Sequence, residues 1–183
     1  KNAQKNIGSK LDELFKDANS PTYSPDNYDV TIVEFFDYSC GYCKKAQAIV
    51  SELVKEDKKI RIIYKEYPIL GQASRDLSTV AIAVNMVDPS SYKKFHDALM
   101  SSKARSKDAA IKVATASGIN SKKLNAVLKS EADKIDKILQ DNAILGASIG
   151  ITGTPGFVIG EELIPGAIDK ATFKEKVAAL RSK

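Results

Sequence analysis

Val30-Thr31-Ile32-Val33-Glu34-Phe35-Phe36 is a run of β-branched and aromatic residues, and it predicts a buried strand that leaves through the turn Asp37-Tyr38-Ser39. From Lys44 onward the apolar positions Ala46, Ile49, Val50, Leu53 and Val54 fall at helical spacing. Ile60-Arg61-Ile62-Ile63-Tyr64 supplies a second strand, which Tyr67-Pro68 ends. Residues 30–64 therefore read as a βαβ unit, with parallel strands and a right-handed crossover.

Beyond Gln72 the pattern turns helical as far as Ser148. Leu77, Val80, Ala81 and Val84 mark a first helix; Tyr92, Phe95 and Leu99 a second; Ala110, Ile111 and Ala114 a third; Leu124, Val127 and Leu128 a fourth; Ile135, Ile138 and Leu139 a fifth. Asp88-Pro89, Gly118 and Ser121 punctuate them, Ser121 as an expected N-cap. Strand character returns at Phe157-Val158-Ile159 and, through Gly160-Glu161-Glu162, at Leu163-Ile164, a β-hairpin. A final helix follows, with Asp169 as its N-cap and Phe173, Val177 and Leu180 on one face. At the other end Ile7, Leu11, Leu14 and Phe15 recur at helical spacing, and the turn-rich Asn19-Ser20-Pro21-Thr22-Tyr23-Ser24-Pro25 reads as a linker. That helix has two readings, packing on the following domain or part of an oligomerising stalk, and too few heptads are present to choose.

The chemistry lies where the first strand meets the first long helix. The only two cysteines form Cys40-Gly41-Tyr42-Cys43, so Cys40 lands at a helix N-terminus. Unpaired backbone N–H groups there favour thiolate over thiol, the form that attacks disulfides. The two-residue spacing lets Cys43 resolve a mixed disulfide formed at Cys40. Gly41 and Tyr42 are expected to tune that balance, and Lys44 and Lys45 add positive charge nearby. A structural zinc site wants four Cys or His ligands, and the chain offers two cysteines and the distant His96, its sole histidine, read as standing on a charged flank. A static disulfide here would close so short a loop that it constrains the unfolded chain little.

Strand, CxxC helix, strand, helical insertion, hairpin and helix, in that order, make an α/β protein with a thioredoxin-like fold and an inserted all-helical subdomain. The divisions expected are an N-terminal helix and linker over 1–27, a thioredoxin-like domain over 28–71 and 150–183, and the insertion over 72–149. Composition agrees with a globular chain: 43% of the 183 residues are hydrophobic, and no apolar run approaches the roughly 20 residues that cross a bilayer. The net charge of +5 is spread over lysine-rich helix faces without interleaved aromatics, so nucleic acid is not an expected partner. Beginning at Lys1 without an apolar leader, the chain reads as a mature or trimmed form.

Glu34-Phe35-Phe36-Asp37-Tyr38-Ser39-Cys40-Gly41-Tyr42-Cys43-Lys44-Lys45, with Gly150-Ile151-Thr152-Gly153-Thr154-Pro155-Gly156-Phe157-Val158-Ile159-Gly160, resembles the DsbA-like family of bacterial thiol:disulfide oxidoreductases. Similarity is greatest to its suppressor-of-copper-sensitivity type and to alphaproteobacterial DsbA-like isomerases. The resemblance implies that Pro155 is a cis-proline facing the cysteines, leaving the Thr154 backbone free to pair with a substrate strand. A threonine before that proline is similar to what isomerase and reductase members carry. Glu34 matches a buried acid beneath the active site; it either handles the Cys43 proton or is a strand carboxylate satisfied by a lysine, with Lys65 the expected partner. The family further implies the periplasm, unfolded or misfolded disulfide-containing substrates, a membrane redox partner, no cofactor, and homotrimers formed through an N-terminal segment. An alternative function is a Cu(I)-binding or copper-delivery module that uses the reduced pair, since thiolates suit that soft ion.

Overall fold

The computed structural model describes Asn2–Lys183, with side chains from Asn6 on. The strand that the β-branched run predicts is β2 (Val30–Phe36), numbered after the short β1 (Thr22–Tyr23). Helix α3 (Gly41–Glu56) carries the chain over to β3 (Ile60–Glu66), and the hairpin is β4 (Gly156–Ile159) with β5 (Glu162–Pro165). These strands form one sheet in the order β1-β3-β2-β4-β5. β2 and β3 are parallel, with Glu34 opposite Tyr64 and Phe36 opposite Glu66. β4 runs antiparallel to β2, with Gly156 opposite Phe35. The C-terminal ends of β2 and β3 and the start of β4 therefore share one end of the sheet, and three loops converge there.

Period-2 alternation divides the core in two. Ile32, Phe36, Ile62, Tyr64, Phe157 and Ile159 face α3, the final helix α9 (Lys170–Arg181) and the helical insertion. Val33, Phe35, Ile63 and Val158 face the other way, onto Ile7, Leu14, Tyr67, Leu145 and Ile149. The insertion holds the five expected α-helices, α4 (Gln72–Val87), α5 (Tyr92–Met100), α6 (Lys107–Ala116), α7 (Ser121–Ser130) and α8 (Ala132–Ser148), with a single 3-10 turn at Pro89–Ser91.

Three local expectations are corrected. The N-terminal helix is two pieces, α1 (Asn2–Ser9) and α2 (Leu11–Phe15), and both Ile7 and Leu14 are fully buried against the sheet. The expected linker contains β1, which pairs with β3 through Thr22–Ile63 and Tyr23–Ile62. Two residues carry too little pattern to be seen as a strand, and the prolines around them suggest a loop. Asn120, not Ser121, caps α7, its side chain accepting the Lys123 N–H at 2.9 Å. Asp169 caps α9 as expected, accepting from Thr172 N–H at 2.7 Å.

Candidate active site

Cys40 sits at the N-cap of α3 with extended backbone, and its Sγ accepts the Cys43 N–H at 3.3 Å. Such a bond strengthens when the acceptor is ionised. The same sulfur lies 3.4 Å from the Thr154 carbonyl oxygen, to which its thiol donates. The Thr154–Pro155 peptide is cis, as the resemblance implies, and β4 begins at the next residue. Both cysteines are free thiols. Cys40 retains 7% of its surface whereas Cys43 retains none, so only the first is open to attack from outside. Burial, together with the hydrogen bond to Cys40, pushes the Cys43 thiol well above the ordinary range, and it stays protonated at neutral pH.

The dipeptide between them faces solvent. Tyr42 is 64% exposed with the Lys45 ammonium 5.8 Å from its ring centroid, and a side chain at Gly41 would meet open space. Ile69 and Leu70, on the loop after β3, are also exposed and give the same end of the sheet an apolar rim.

Glu34 is buried on the α3 side of the sheet, and its Oε1 has no hydrogen-bond partner among the described residues. Burial, with a smaller contribution from the Asp97 charge, raises its carboxyl to about 8. The expected Lys65 partner is ruled out by strand alternation, since Lys65 projects from the opposite face. There its ammonium donates to the Glu13 carbonyl at 2.8 Å, Ser20 Oγ at 2.7 Å and Asp17 Oδ2 at 3.1 Å, pinning the N-terminal segment to the sheet.

His96 also departs from expectation. It is buried, not on a charged flank, and its Nδ1 lies 2.8 Å from the Tyr38 hydroxyl. Its ring sits 4.6 Å from both Phe36 and Tyr64. Helix phase puts it on the inner face of α5 with Tyr92 and Phe95, a signal that its charged neighbours Lys93, Lys94 and Asp97 obscure in sequence.

Several further contacts shape the site that the sequence did not show. The Asp37 carboxylate accepts from Ser39 N–H, Ile69 N–H, Leu70 N–H and Ser74 Oγ, at 2.8, 2.9, 3.0 and 2.7 Å. Lys44 donates to the carbonyls of Met100 and Ser102, capping the C-terminus of α5. Glu66 accepts from both Tyr38 and Tyr92. Its phase with Ile60, Ile62 and Tyr64 could have marked it as buried.

A sheet that brings two sulfurs and a cis-proline loop to one end defines a thioredoxin-fold dithiol protein, whose chemistry is thiol–disulfide exchange. The chain belongs to the DSBA-like thioredoxin domain family, whose description matches residues 31–178. It is accordingly a thiol–disulfide oxidoreductase. Among solved structures it is similar to the thiol-disulfide exchange protein alpha-DsbA2 from Wolbachia pipientis, at 33% identity over 97% of this chain and 95% of that one, with a TM-score of 0.90. The catalytic domain of Proteus mirabilis ScsC is 29% identical over 98% of this chain and 99% of its own, with a TM-score of 0.85. A thioredoxin-like oxidoreductase from Silicibacter pomeroyi DSS-3 is 32% identical over 94% and 98%, also with a TM-score of 0.85. No individually curated protein matches the chain by sequence. No helix among the described residues is long and apolar enough to cross a membrane.

Proposed function

We propose that the chain is a periplasmic disulfide isomerase and reductase of polypeptides, with Cys40 as nucleophile and Cys43 as resolving thiol. The observation that carries this reading is the asymmetry of the pair: one sulfur is open and beside the cis-proline loop, the other sealed beneath it. The Cys40 thiolate attacks one sulfur of a non-native disulfide, forming a mixed disulfide and releasing the other sulfur as a thiolate that takes up a proton. That freed thiol can attack elsewhere in the substrate, returning Cys40 unchanged after rearrangement. Alternatively Cys43 loses its proton and attacks Cys40 Sγ, so the substrate leaves fully reduced and the enzyme carries the Cys40–Cys43 disulfide. A membrane redox partner then restores the dithiol with two electrons and two protons. Run backward, the same steps oxidise a substrate.

Of the two raised acids on the α3 side of the sheet, Glu34 is the one suited to take the Cys43 proton, since its carboxyl is poised close to the operating pH and is not engaged by tyrosine hydroxyls as Glu66 is. The Thr154–Pro155 loop docks an extended substrate through the Thr154 backbone, while Gly41 and Tyr42 tune the pair, Tyr42 helping to form the apolar rim with Ile69 and Leu70. Trimerisation through an N-terminal segment would have to use faces other than Ile7 and Leu14, which the sheet covers. The copper reading would rest on the two thiolates alone, since among the described residues no third His, Cys, Asp or Glu joins them in a group placed to hold a metal.

The test is reactivation of scrambled ribonuclease and reduction of insulin, alongside molecular mass in solution and the equilibrium with glutathione. The reading expects both activities in the wild type, their loss in Cys40→Ser, and a less oxidising pair than a dedicated oxidase. Activity that survives Cys40→Ser overturns it, and a strongly oxidising monomer without ribonuclease activity overturns the isomerase direction.

A further inference from the structure

A second polar cluster lies at the same end of the sheet and has no part in the exchange steps above. Glu66, Tyr38, Tyr92 and His96 are each about 1% exposed. The Glu66 Oε2 atom lies 3.0 Å from the Tyr38 hydroxyl and 2.7 Å from that of Tyr92, and the Tyr38 hydroxyl lies 2.8 Å from His96 Nδ1. Tyr38 is also an inner residue of the turn that delivers the nucleophile, closed by the Cys40 N–H donating to the Asp37 carbonyl at 3.1 Å. The chain of contacts thus runs from the end of β3 to the segment holding Cys40.

Counting protons fixes the direction of each bond. A phenol has one proton, so Tyr38 donates either to Glu66 or to His96, never to both. With Glu66 ionised, Tyr38 donates to the carboxylate, and the bond to His96 requires the proton on Nδ1. With Glu66 protonated on Oε2, the oxygen that both hydroxyls face, the carboxyl donates to Tyr38, whose own proton then turns to Nδ1, and neutral His96 carries its proton on Nε2; Oε1 has no hydrogen-bond partner among the described residues to receive a proton placed there. Tyr92 donates to Oε2 in both arrangements.

We propose that Glu66 is a positioning residue for Cys40, acting through Tyr38, and that its ionisation reverses the Tyr38–His96 hydrogen bond and with it the tautomer of His96. This rests on the thiol-exchange reading of the site. Burial raises Glu66 to about 8, against the hydrogen bonds from Tyr92 and Tyr38, so the reversal falls in mildly alkaline solution. Burial also lowers His96 to about 4, which keeps its imidazole neutral throughout. The groups facing Glu66 are Asp37 and Tyr38 from the turn, Tyr92 and His96 from α5, Ser78 from α4, and the Asn142 amide from α8, which donates to the Glu66 main-chain carbonyl. His96 also feels Asp97 and Lys93 on its own helix, and Glu34 and Asp97 act on the adjoining Tyr64.

Because His96 is the only histidine, nitrogen-15 NMR of the reduced protein reads its tautomer without assignment ambiguity. Between pH 5 and 10 the two ring nitrogens are expected to exchange protonated and unprotonated shifts with a midpoint near 8. Glu66→Gln and Tyr38→Phe abolish the transition, and Glu34→Gln retains it. In parallel, the equilibrium constant for the protein disulfide plus two glutathione molecules giving the dithiol and oxidised glutathione should shift about tenfold in Glu66→Gln, or about 30 mV. Tyr38→Phe, which keeps the ring and removes only the hydroxyl, should shift it similarly and serves alone if Glu66→Gln does not fold. A tautomer constant over this range, a transition that survives Glu66→Gln, or equilibrium constants within twofold of wild type overturn the proposal. Each can occur while Cys40→Ser still abolishes exchange, so failure here is separable from failure of the function.

Discussion

The Asp37 carboxylate accepts the Ser74 hydroxyl at 2.7 Å, joining the turn before Cys40 to the first helix of the insertion. The same carboxylate holds the N–H groups of Ser39, Ile69 and Leu70, so one fully buried charge organises both loops flanking the nucleophile. Hydrogen bonds to charged groups contribute roughly 1.5–3 kcal/mol each, and they are not additive. Asp37→Ala should therefore lower stability by about 3 kcal/mol or more in urea unfolding, and should slow exchange even at temperatures where the variant remains folded. Asp37→Asn, which keeps two of the four acceptor bonds at most, should fall between.

Glu34 has an unpaired buried oxygen on the face of the sheet that α3 and the insertion cover. If it accepts the Cys43 proton, Glu34→Gln should slow release of the mixed disulfide by roughly tenfold to a hundredfold. Attack by Cys40 should change much less. Stopped-flow measurement of the two phases between pH 6 and 9 separates them, and the wild-type inflection near 8 should vanish in the variant.

Two buried acids, Glu34 and Glu66, are raised from about 4.5 to about 8. Their folded values lie above the unfolded ones, so the folded state binds more protons between these limits and stability falls as pH rises. That contribution is fully present below about pH 4.5 and is lost as pH climbs through about 8. Denaturation midpoints across this window should decline in the wild type and flatten in Glu34→Gln and Glu66→Gln.

On the opposite face, burial alone would raise the Asp17 carboxyl, but the Lys65 ammonium, with the Asn19 amide and the Ser20 hydroxyl, holds it below the ordinary value. A depressed folded value contributes stability above about pH 4 that is lost on further acidification. Asp17→Ala leaves the buried ammonium without its counter-charge and should cost about 2–4 kcal/mol. Lys65→Met should cost less, because Asp17 remains partly exposed to solvent, and urea midpoints at pH 7 distinguish the two.

The βαβ unit and the five insertion helices were legible because their apolar patterns are long, and the hairpin because two short apolar runs flank the turn at Gly160-Glu161-Glu162. β1 was not, since two residues have no periodicity and its pairing with β3 is set by the tertiary fold. Within the site, Cys40 and Cys43 declared themselves through spacing, and the cis peptide at Pro155 only through family resemblance. The guessed Glu34–Lys65 pair failed on a point that alternation could have settled: Glu34 pairs with Tyr64 in register, and the next residue points away. Asp37, Glu66 and His96 were missed because a polar residue beside charged or turn residues reads as surface until its burial is known.

In the proposed exchange Cys40 alone meets the substrate, and Cys43 acts only on the adduct. Peptide mapping of mixed disulfides decides this division of roles, using Cys43→Ser and Cys40→Ser proteins exposed to the same disulfide-bonded peptide under native conditions. A persistent adduct at Cys40 is expected in the first variant and essentially none at Cys43 in the second. Adducts forming at comparable rates at both positions would contradict it.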